Sequence, residues 1–483
     1  MEVNCDGDAT CDDRISKLPE PILHHIMSFL YAKHVAQMST SSKALATASN
    51  SLSYLNFGYI SDWWSNCYFS PLSYVDRWIK ILIDYNIKEL DLRVVRPDYR
   101  GNIGYDRLPE KIFAARSLNV LSLYGFKIEL PADDGMIKLS SLQELHLSYV
   151  FLDEKFIESL CTSCCNLEHL SFRYFDGLTS FQVCETLPKL KKVNLQLPCS
   201  VLQLVDIAAF NVEELRINSL NRSIKVVRIT ACKDLKSLYL GAVDVTDNWL
   251  EELFYSLQNV EKFELSRCDT LKTMKNASGR LKWLITSDCD NLIAADFDKP
   301  NLLKFQYSCH PLPTFKLKAS VLLEAIFQLY PICGWHSKLM KFLGNFNHSQ
   351  TIELSCCCDE DIIIPKDLRE NILPPLYGTN ILQVNFRRQF SYSVVDIVDS
   401  MLWISPHLHT LSFTQAPGLK TLKFIYEDAS DEDKKCCASL PWECWRHTLK
   451  KVELHNFSCM EEEKLRNYFF ANADNLKMVE ISL

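Results

Sequence analysis

The most regular feature of the chain is a short alternation of apolar and polar residues, of the form L-x-x-L-x-L, that returns at nearly constant intervals. From Leu118 to Leu302 successive copies begin 24, 25, 23, 22, 23, 25, 21 and 21 residues apart. Alternating apolar residues predict a strand with one buried side, and a constant period predicts stacked repeats. The apolar positions are Ile87/Leu90/Leu92, Leu118/Leu121/Leu123, Leu142/Leu145/Leu147, Leu167/Leu170/Phe172, Leu190/Val193/Leu195, Val212/Leu215/Ile217, Leu235/Leu238/Leu240, Val260/Phe263/Leu265, the partial copy Leu281/Leu284, and Leu302/Phe305/Tyr307.

The repeated unit resembles a leucine-rich repeat, which is about 20–29 residues long. The resemblance implies an α/β fold, a curved solenoid with a parallel inner sheet, expected here over residues 87–425. Helical stretches are expected between strands, as at 156–161 and 249–257. The spacing becomes irregular between residues 321 and 375, and later strands are predicted at Ile352/Leu354, Val384/Phe386, Leu408/Leu411/Phe413 and Leu422/Phe424.

A helical pattern occupies the N-terminal part of the chain. Apolar residues at i, i+1, i+4, i+7 and i+8 predict one face of a helix, and Pro21 suits its first turn. Two more short helices are expected over residues 31–42 and 43–52. Because a helix this short is marginal alone, its apolar stripe needs a partner. The stripe consists of Ile22, Leu23, Ile26, Phe29 and Leu30.

This segment resembles an F-box, expected over residues 13–57. The motif residues stand in order as Asp13-Arg14-Ile15-Ser16, Leu18-Pro19, Ile22-Leu23, Ile26 and Ser28-Phe29-Leu30. The resemblance implies docking of a Skp-type adaptor and, through it, a cullin–RING ubiquitin ligase. The residues expected to bind the adaptor are Leu18, Pro19, Ile22, Leu23, Ile26, Phe29, Leu30, Val35 and Met38.

The third expected helix departs from the F-box pattern. Many members carry Ser-Lys-Arg-Trp-Arg there, whereas residues 41–46 of this chain read Ser-Ser-Lys-Ala-Leu-Ala. Two alternatives therefore stand beside adaptor docking. One is a three-helix bundle that only covers the first repeat, and the other is a binding scaffold that does not recruit a ligase.

The C-terminal part predicts a strand, a helix and a strand, at residues 449–454, 461–470 and 476–481. Their order, after Pro441-Trp442-Glu443-Cys444, resembles the FBD module of plant F-box/leucine-rich-repeat proteins, and implies a closing cap for the solenoid over 441–483. The remaining segments are an acidic tail at 1–12 that we expect to be disordered, a linking helical segment at 58–86 and an acidic loop at 426–440.

Composition narrows the function classes. Hydrophobic residues make up 47% and charged residues 23% of 483 residues, which is typical of a globular protein. A net charge of −8 without a long basic run argues against nucleic-acid binding, and the lack of an 18-residue apolar run argues against a membrane span. The polar acidic N-terminus does not resemble a secretory signal. We therefore expect a cytoplasmic or nuclear protein whose 20 cysteines are mostly free thiols.

No motif for catalysis stands out. The chain lacks G-x-x-x-x-G-K-[ST], G-x-G-x-x-G, H-E-x-x-H and G-x-S-x-G, so we expect neither an enzyme nor a catalytic residue. Cys161-x-x-Cys164 could supply two of the four ligands of a metal site, but no second pair of ligands lies nearby. Core packing is therefore the favoured role of both cysteines. We expect no metal and no cofactor.

Residues that alternate with the buried leucines should face the concave side of the sheet. A mixture of aromatic and polar groups favours recognition of a target protein. Scattered cations leave open an anionic small molecule, such as the inositol phosphate of hormone-receptor relatives, and the face could also be unused. The candidate positions are Arg93, Tyr124, His146, Arg173, Lys192, Arg216, Tyr239, Lys262 and Lys304, and the substrate-binding prediction rests on the last six together.

Overall fold

The structure is a computed structural model of the 483-residue chain. Several predicted segments lie outside the described residues: the acidic tail, the linking helical segment from 60 to 85, most of the acidic loop, and Pro441–Cys444. The structure describes residues 15–30, 32–52, 54–59, 86–94, 105–130, 136–197, 202–220, 224, 226–276, 279–297, 301–310, 312–317, 322–330, 335–370, 372–388, 391–415, 418–427 and 445–482.

Three short helices open the described chain: α1 Glu20–Ser28, α2 Ala32–Ser39 and α3 Lys43–Asn50. Pro21 lies in the first turn of α1, where its missing N–H leaves no bond unmade. Ser42 caps α3 by accepting the Leu45 N–H. These helices pack around a small apolar core of their own.

The chain divides after Asp234 into two compact units. In the first unit, strands are short and mostly follow the predicted alternation. They are β1 Tyr54–Tyr59, β2 Glu89–Arg93, β3 Asp106–Arg107, β4 Val120–Tyr124, β5 Phe126–Lys127, β6 Glu144–Ser148, β7 His169–Arg173, β8 Ser180–Val183, β9 Lys192–Leu197, β10 Leu204–Ala208, β11 Glu214–Ser219 and β12 Val226–Thr230.

The main sheet of this unit is parallel throughout, in the order β1–β2–β4–β6–β7–β9–β11. Alternation along each strand is confirmed: in β4, Leu121 and Leu123 are buried while Val120, Ser122 and Tyr124 stay partly exposed. The repeat pattern does not predict β1, which follows the N-terminal helices and pairs with β2. This strand spans residue 57, where the F-box segment is expected to end.

The other side of the first unit carries less helix than expected. Helix α4, Glu154–Ser163, is capped at its N-terminus by Asp153, whose carboxylate accepts the Phe156 N–H. A 3-10 turn spans Glu110–Ala114. Elsewhere short strands take the place of helices, as parallel ribbons in the orders β8–β10–β12 and β3–β5.

The second unit continues the pattern with strands and six helices among its described residues. The strands are β13 Ser237–Gly241, β14 Lys262–Ser266, β15 Thr273–Asn276, β16 Trp283–Ser287, β17 Ala294–Phe297, β18 Lys304–Ser308, β19 Thr314–Leu317, β20 Glu324–Gln328, β21 Thr351–Cys356, β22 Ile381–Phe386, β23 Thr410–Gln415, β24 Gly418–Tyr426, β25 Leu449–His455 and β26 Met478–Ser482. The helices are α5 Asp247–Ser256, α6 Trp335–Leu343, α7 Lys366–Arg369, α8 Val394–Ile404, α9 Trp445–Thr448 and α10 Cys459–Asn472.

Its main sheet is parallel from β13 to β23, in the order β13–β14–β16–β18–β20–β21–β22–β23. A second parallel ribbon, β15–β17–β19, lies outside that sheet. Strand β20 lies in the stretch where the spacing is irregular, and its Ala325 and Phe327 are buried as in any other repeat.

The parallel sheet predicted from the repeats does not extend to the C-terminus. Strand β24 pairs antiparallel with both β23 and β25. Strands β25 and β26 are again parallel, with α10 between them, so the predicted strand–helix–strand order is present. Strands β23 and β24 are antiparallel because only a short connection joins them, whereas parallel neighbours need a long crossover.

Candidate functional site

The first candidate site consists of exposed apolar side chains on α1 and on the residues just before and after it. Phe29 is 76% exposed, Ile15 50% and Ile22 45%. Pro19 is also exposed, and the ring of His25 meets that of Phe29 edge-on at 5.0 Å. We call Ile15, Pro19, Ile22 and Phe29 the helical surface. Grouped exposed apolar residues of this kind mark interaction sites more often than isolated ones do.

The helical surface is one side of the predicted stripe, and the other side is internal. Leu23, Met27 and Val35 are buried with Leu45, Ala48 and Leu52. The partly buried residues Leu18, Leu30 and Met38 pack against that core, and Ile26 lies between the two sides. Of the predicted adaptor-binding residues, Leu23 and Val35 are therefore buried inside the bundle.

Hydrogen bonds also hold α1 and the residues before it against α3 and the residues that flank it. Ser16 donates to Ser42 at 2.6 Å, and Ser51 donates to Glu20 at 2.5 Å. The His24 Nε2 atom lies 3.0 Å from the carbonyl oxygen of Ala48. The orientation of the helical surface is thus determined by both apolar packing and hydrogen bonds.

The second candidate site is the exposed face of the main sheets. In the first unit, register aligns Arg93, Tyr124 and Arg173 in one row, through Ser148. His146 and Arg216 share the neighbouring row, and Lys192 begins a third. In the second unit Lys262 and Lys304 flank Trp283 in one row, and Tyr239 lies in the next row.

Most of the predicted cations on this face have a carboxylate neighbour. Lys192 lies 3.0 Å from Glu214, and Lys304 lies 2.7 Å from Glu324. Lys262 pairs with Glu264. The positive charge of these lysines is therefore largely balanced, which lowers the attraction of the surrounding face for an anion.

A pocket of about 400 Å³ opens on the exposed face of β2, β4, β6 and β7. Three tyrosine rings follow one another across it: Tyr124 and Tyr149 have centroids 4.9 Å apart, and Tyr149 and Tyr174 are 4.8 Å apart. Arg173 lines the same pocket, and no residue that the structure describes forms an ion pair with it. The lining is Asp91, Arg93, Ser122, Leu123, Tyr124, His146, Ser148, Tyr149, Ser171, Arg173 and Tyr174.

Sequence reasoning misses Tyr149 and Tyr174 because neither belongs to the L-x-x-L-x-L alternation. Each follows the last residue of its strand, and a search one position beyond the strand would find the two tyrosines 25 residues apart. Met27 is missed although it lies four residues after Leu23, a spacing that puts both side chains on the same side of a helix, and the structure buries both.

A family model described as "At1g61320/AtMIF1, LRR domain" matches the sequence twice, over residues 62–230 and 223–479. The chain belongs to this leucine-rich-repeat family. The N-terminal helices precede both matches, and the change from the first match to the second falls close to the division between the two compact units.

Curated relatives extend the likeness to plant proteins with F-box names. The F-box/FBD/LRR-repeat protein At3g51530 of Arabidopsis thaliana is 30% identical over 216 residues, which is 39% of this chain and 46% of the relative. The F-box/LRR-repeat protein At3g59250 of the same plant is 30% identical over 167 residues, 33% of this chain and 36% of the relative. The chain thus spans less than half of the length of these relatives.

Many cysteines of the leucine-rich repeats are buried, whereas Cys165, Cys184 and Cys357 are exposed. Cys161 and Cys164 are buried, and burial raises the pKa of their thiols to about 11 and about 12. A thiol with a raised pKa is a poor nucleophile and a poor metal ligand. In the described part of the chain, no group of three or more His, Cys, Asp or Glu side chains is arranged to hold a metal. No described helix is long and apolar enough to cross a membrane.

Proposed function

We propose that the protein is a substrate-recognition subunit of an SCF-type cullin–RING ubiquitin ligase. The N-terminal helices would act as an F-box that docks a Skp-type adaptor, and the repeats would bind the target protein. The C-terminal strand–helix–strand would be an FBD module. In this role the chain is non-catalytic and acts in the cytoplasm, the nucleus or both.

The observation that carries the proposal is the helical surface. Ile22 and Phe29 are large apolar side chains left exposed by a bundle whose core is complete without them. Burying each against a partner would contribute about 1.5–3 kcal/mol. A few such residues are enough for a micromolar contact after the cost of association. The F-box names of the relatives support the same role.

The test is capture of a purified Skp-type adaptor by the full-length chain. The double variant Ile22→Ala with Phe29→Ala should lower adaptor affinity at least tenfold, since exposed apolar anchors dominate such interfaces. Its helix content should stay unchanged because neither side chain belongs to the buried core.

A matched control is Ile293→Ala, which removes a side chain that is 58% exposed outside the N-terminal helices. This variant should capture the adaptor as the wild type does. Unchanged capture by the double variant would show that the helical surface is not the docking site.

The second candidate is a binding scaffold that does not recruit a ligase. It is favoured by α3, where Lys43, Ala44 and Thr47 are exposed and no large apolar or arginine side chain extends the helical surface. Under this alternative, wild-type protein would not bind the adaptor at micromolar concentration, although the repeats would still bind a target.

A further inference from the structure

We propose that the pocket formed by Tyr124, Tyr149, Tyr174 and Arg173, here called the tyrosine pocket, binds an extended segment of the target protein that presents an acidic side chain and aromatic side chains on the same face. This inference rests on the proposed function, because it specifies the class of target that the repeats recognise. The proposal concerns one pocket on the exposed sheet face, whereas the sequence pattern alone does not distinguish one part of that face from another.

Two of the tyrosines of the pocket lie on unusual backbone. Tyr149 and Tyr174 have φ angles of 51° and 52°, in the left-handed region that bulky residues rarely adopt. The equivalent position in the preceding repeat is Gly125, with φ of 84°. Later repeats place Ala242 and Arg267 at such turns, so the turn belongs to the fold. What is particular to this pocket is a large ring at that position in two successive repeats.

The ladder of hydrogen bonds holds these turns in place. The Tyr149 N–H donates to the carbonyl of Arg173 at 2.9 Å, and the Tyr174 N–H donates to the carbonyl of Gln196 at 2.8 Å. The rings are therefore presented by backbone that the sheet already fixes. The positions of the two tyrosines therefore do not depend on a ligand being bound.

Charge complementarity identifies the occupant as acidic. Asp91 accepts hydrogen bonds from the Nε and Nη2 atoms of Arg93, at 3.0 and 2.8 Å, which balances that pair. Glu144 lies 3.1 Å from His146 and 3.3 Å from His169. Arg173 has no ion-pair partner among the described residues. Its positive charge is therefore available in the pocket to bind a carboxylate of the target.

Shape identifies the occupant as an extended chain. The lining comes from four neighbouring strands, and three inter-strand steps span about 14 Å. An extended peptide advances about 3.3 Å per residue, so the pocket matches about four residues. Side chains two positions apart share one face, so an acidic residue that meets Arg173 and aromatic residues two positions to either side, which stack on the tyrosine rings, would all face the pocket.

The test uses the full-length chain and three labelled peptides measured by fluorescence anisotropy: Gly-Phe-Ser-Glu-Ser-Phe-Gly, the same peptide with Lys for Glu, and the same peptide with Ser for Phe. The first should bind at least tenfold more tightly than the other two. Tyr149→Gly should weaken it at least tenfold while the melting temperature stays the same or rises, because glycine relieves the left-handed backbone. Arg173→Gln should remove most of the preference for Glu over Lys.

Two variants serve as controls. Tyr255→Ala removes a tyrosine that is 77% exposed on α5, and Arg228→Gln removes an exposed arginine of β12; neither residue lines the pocket. Both should leave peptide affinity unchanged. Equal binding of the three peptides, or affinities within twofold for Tyr149→Gly and Arg173→Gln, would overturn the proposal. Binding of phenyl phosphate without binding of the peptides would also overturn it, in favour of a small anion.

Failure here is distinguishable from failure of the proposed function, because no adaptor is present in the peptide assay. Loss of the peptide preference with intact adaptor capture would reject the tyrosine pocket alone. Peptide binding without adaptor capture would support the pocket and reject the ligase role.

Discussion

Tyr468 of α10 donates a hydrogen bond of 2.6 Å to the Asp399 carboxylate of α8. The other oxygen of Asp399 accepts from Arg369 at 2.5 Å, and Arg369 also donates to Ser400 and to the carbonyl of Ile364. Burial, followed by the bond to Asp399, raises the pKa of Tyr468, so the hydroxyl remains a donor. This network joins the C-terminal helix to the repeats of the second unit.

Tyr468→Phe should destabilise α10 by about 1.5 kcal/mol, because it removes a hydrogen bond to a charged acceptor. Arg369 still satisfies Asp399, so a larger loss is not expected. Hydrogen–deuterium exchange of residues 459–472 should accelerate. Tyr255→Phe, at an exposed tyrosine, is the control and should change nothing. Unchanged exchange in Tyr468→Phe would show that the bond does not hold the helix.

Glu461 should make the stability of α10 depend on pH. Burial disfavours its charge, but hydrogen bonds from Lys420 at 2.7 Å and from Ser458 outweigh burial and lower its pKa below the ordinary 4.5. A carboxylate with a lowered folded-state pKa stabilises the protein fully above 4.5, and the contribution is lost as the pH falls through the folded-state value.

Glu461→Gln should therefore cost about 1 kcal/mol at neutral pH, and the difference from wild type should shrink as the pH falls below 4.5. Denaturant unfolding at several pH values measures it. Glu463→Gln, at an exposed position of the same helix, is the matched control. A constant difference at every pH would contradict the assignment.

Gly125→Ala should destabilise the first unit by about 3 kcal/mol, among the larger effects of single substitutions. Its φ is +84°, and an added Cβ would lie 2.1 Å from the carbonyl oxygen of Val94, a backbone atom that cannot move aside. Gly418→Ala is the matched control, since nothing lies within 4 Å of its Cβ. Urea unfolding compares the two, and similar losses would mean that the close approach is relieved.

Leu23→Ala and Phe29→Ala should separate the two sides of the N-terminal stripe. Leu23 is 3% exposed within the bundle core, so its truncation should cost about 2–5 kcal/mol. Phe29 is 76% exposed, and its truncation should change stability by no more than about 0.5 kcal/mol. Circular dichroism with exchange at residues 20–50 measures both. Equal losses would mean that the helical surface is packed.

Much of the repeat architecture can be predicted from sequence because burial alternates locally. Leu121 and Leu123 are separated by one residue, and a strand puts both on the core side without reference to the rest of the chain. The strand–helix–strand order at the C-terminus is predicted on the same basis. Strand β20 is not, because it lies where the repeat spacing is irregular. The ribbons outside the main sheets are not, because the L-x-x-L-x-L pattern does not cover them.

The sites are only partly predictable. Alternation correctly assigns Arg173 and Lys192 to the exposed face, but it does not say which charge is balanced. Lys192 meets Glu214, 22 residues away in sequence, only because strands β9 and β11 lie side by side. The role of each predicted binding residue stays a prediction that the variants above would test.

The sequence by itself determined which residues alternate, where each repeat begins and that the N-terminal helices carry an apolar stripe, since these depend on neighbours a few positions apart. Only the tertiary structure decided that Leu23 is internal while Ile22 is exposed. It also decided that the rings of three tyrosines from successive repeats lie next to one another. Both outcomes depend on which distant segments pack together, and the free energy of that packing is not contained in any local pattern.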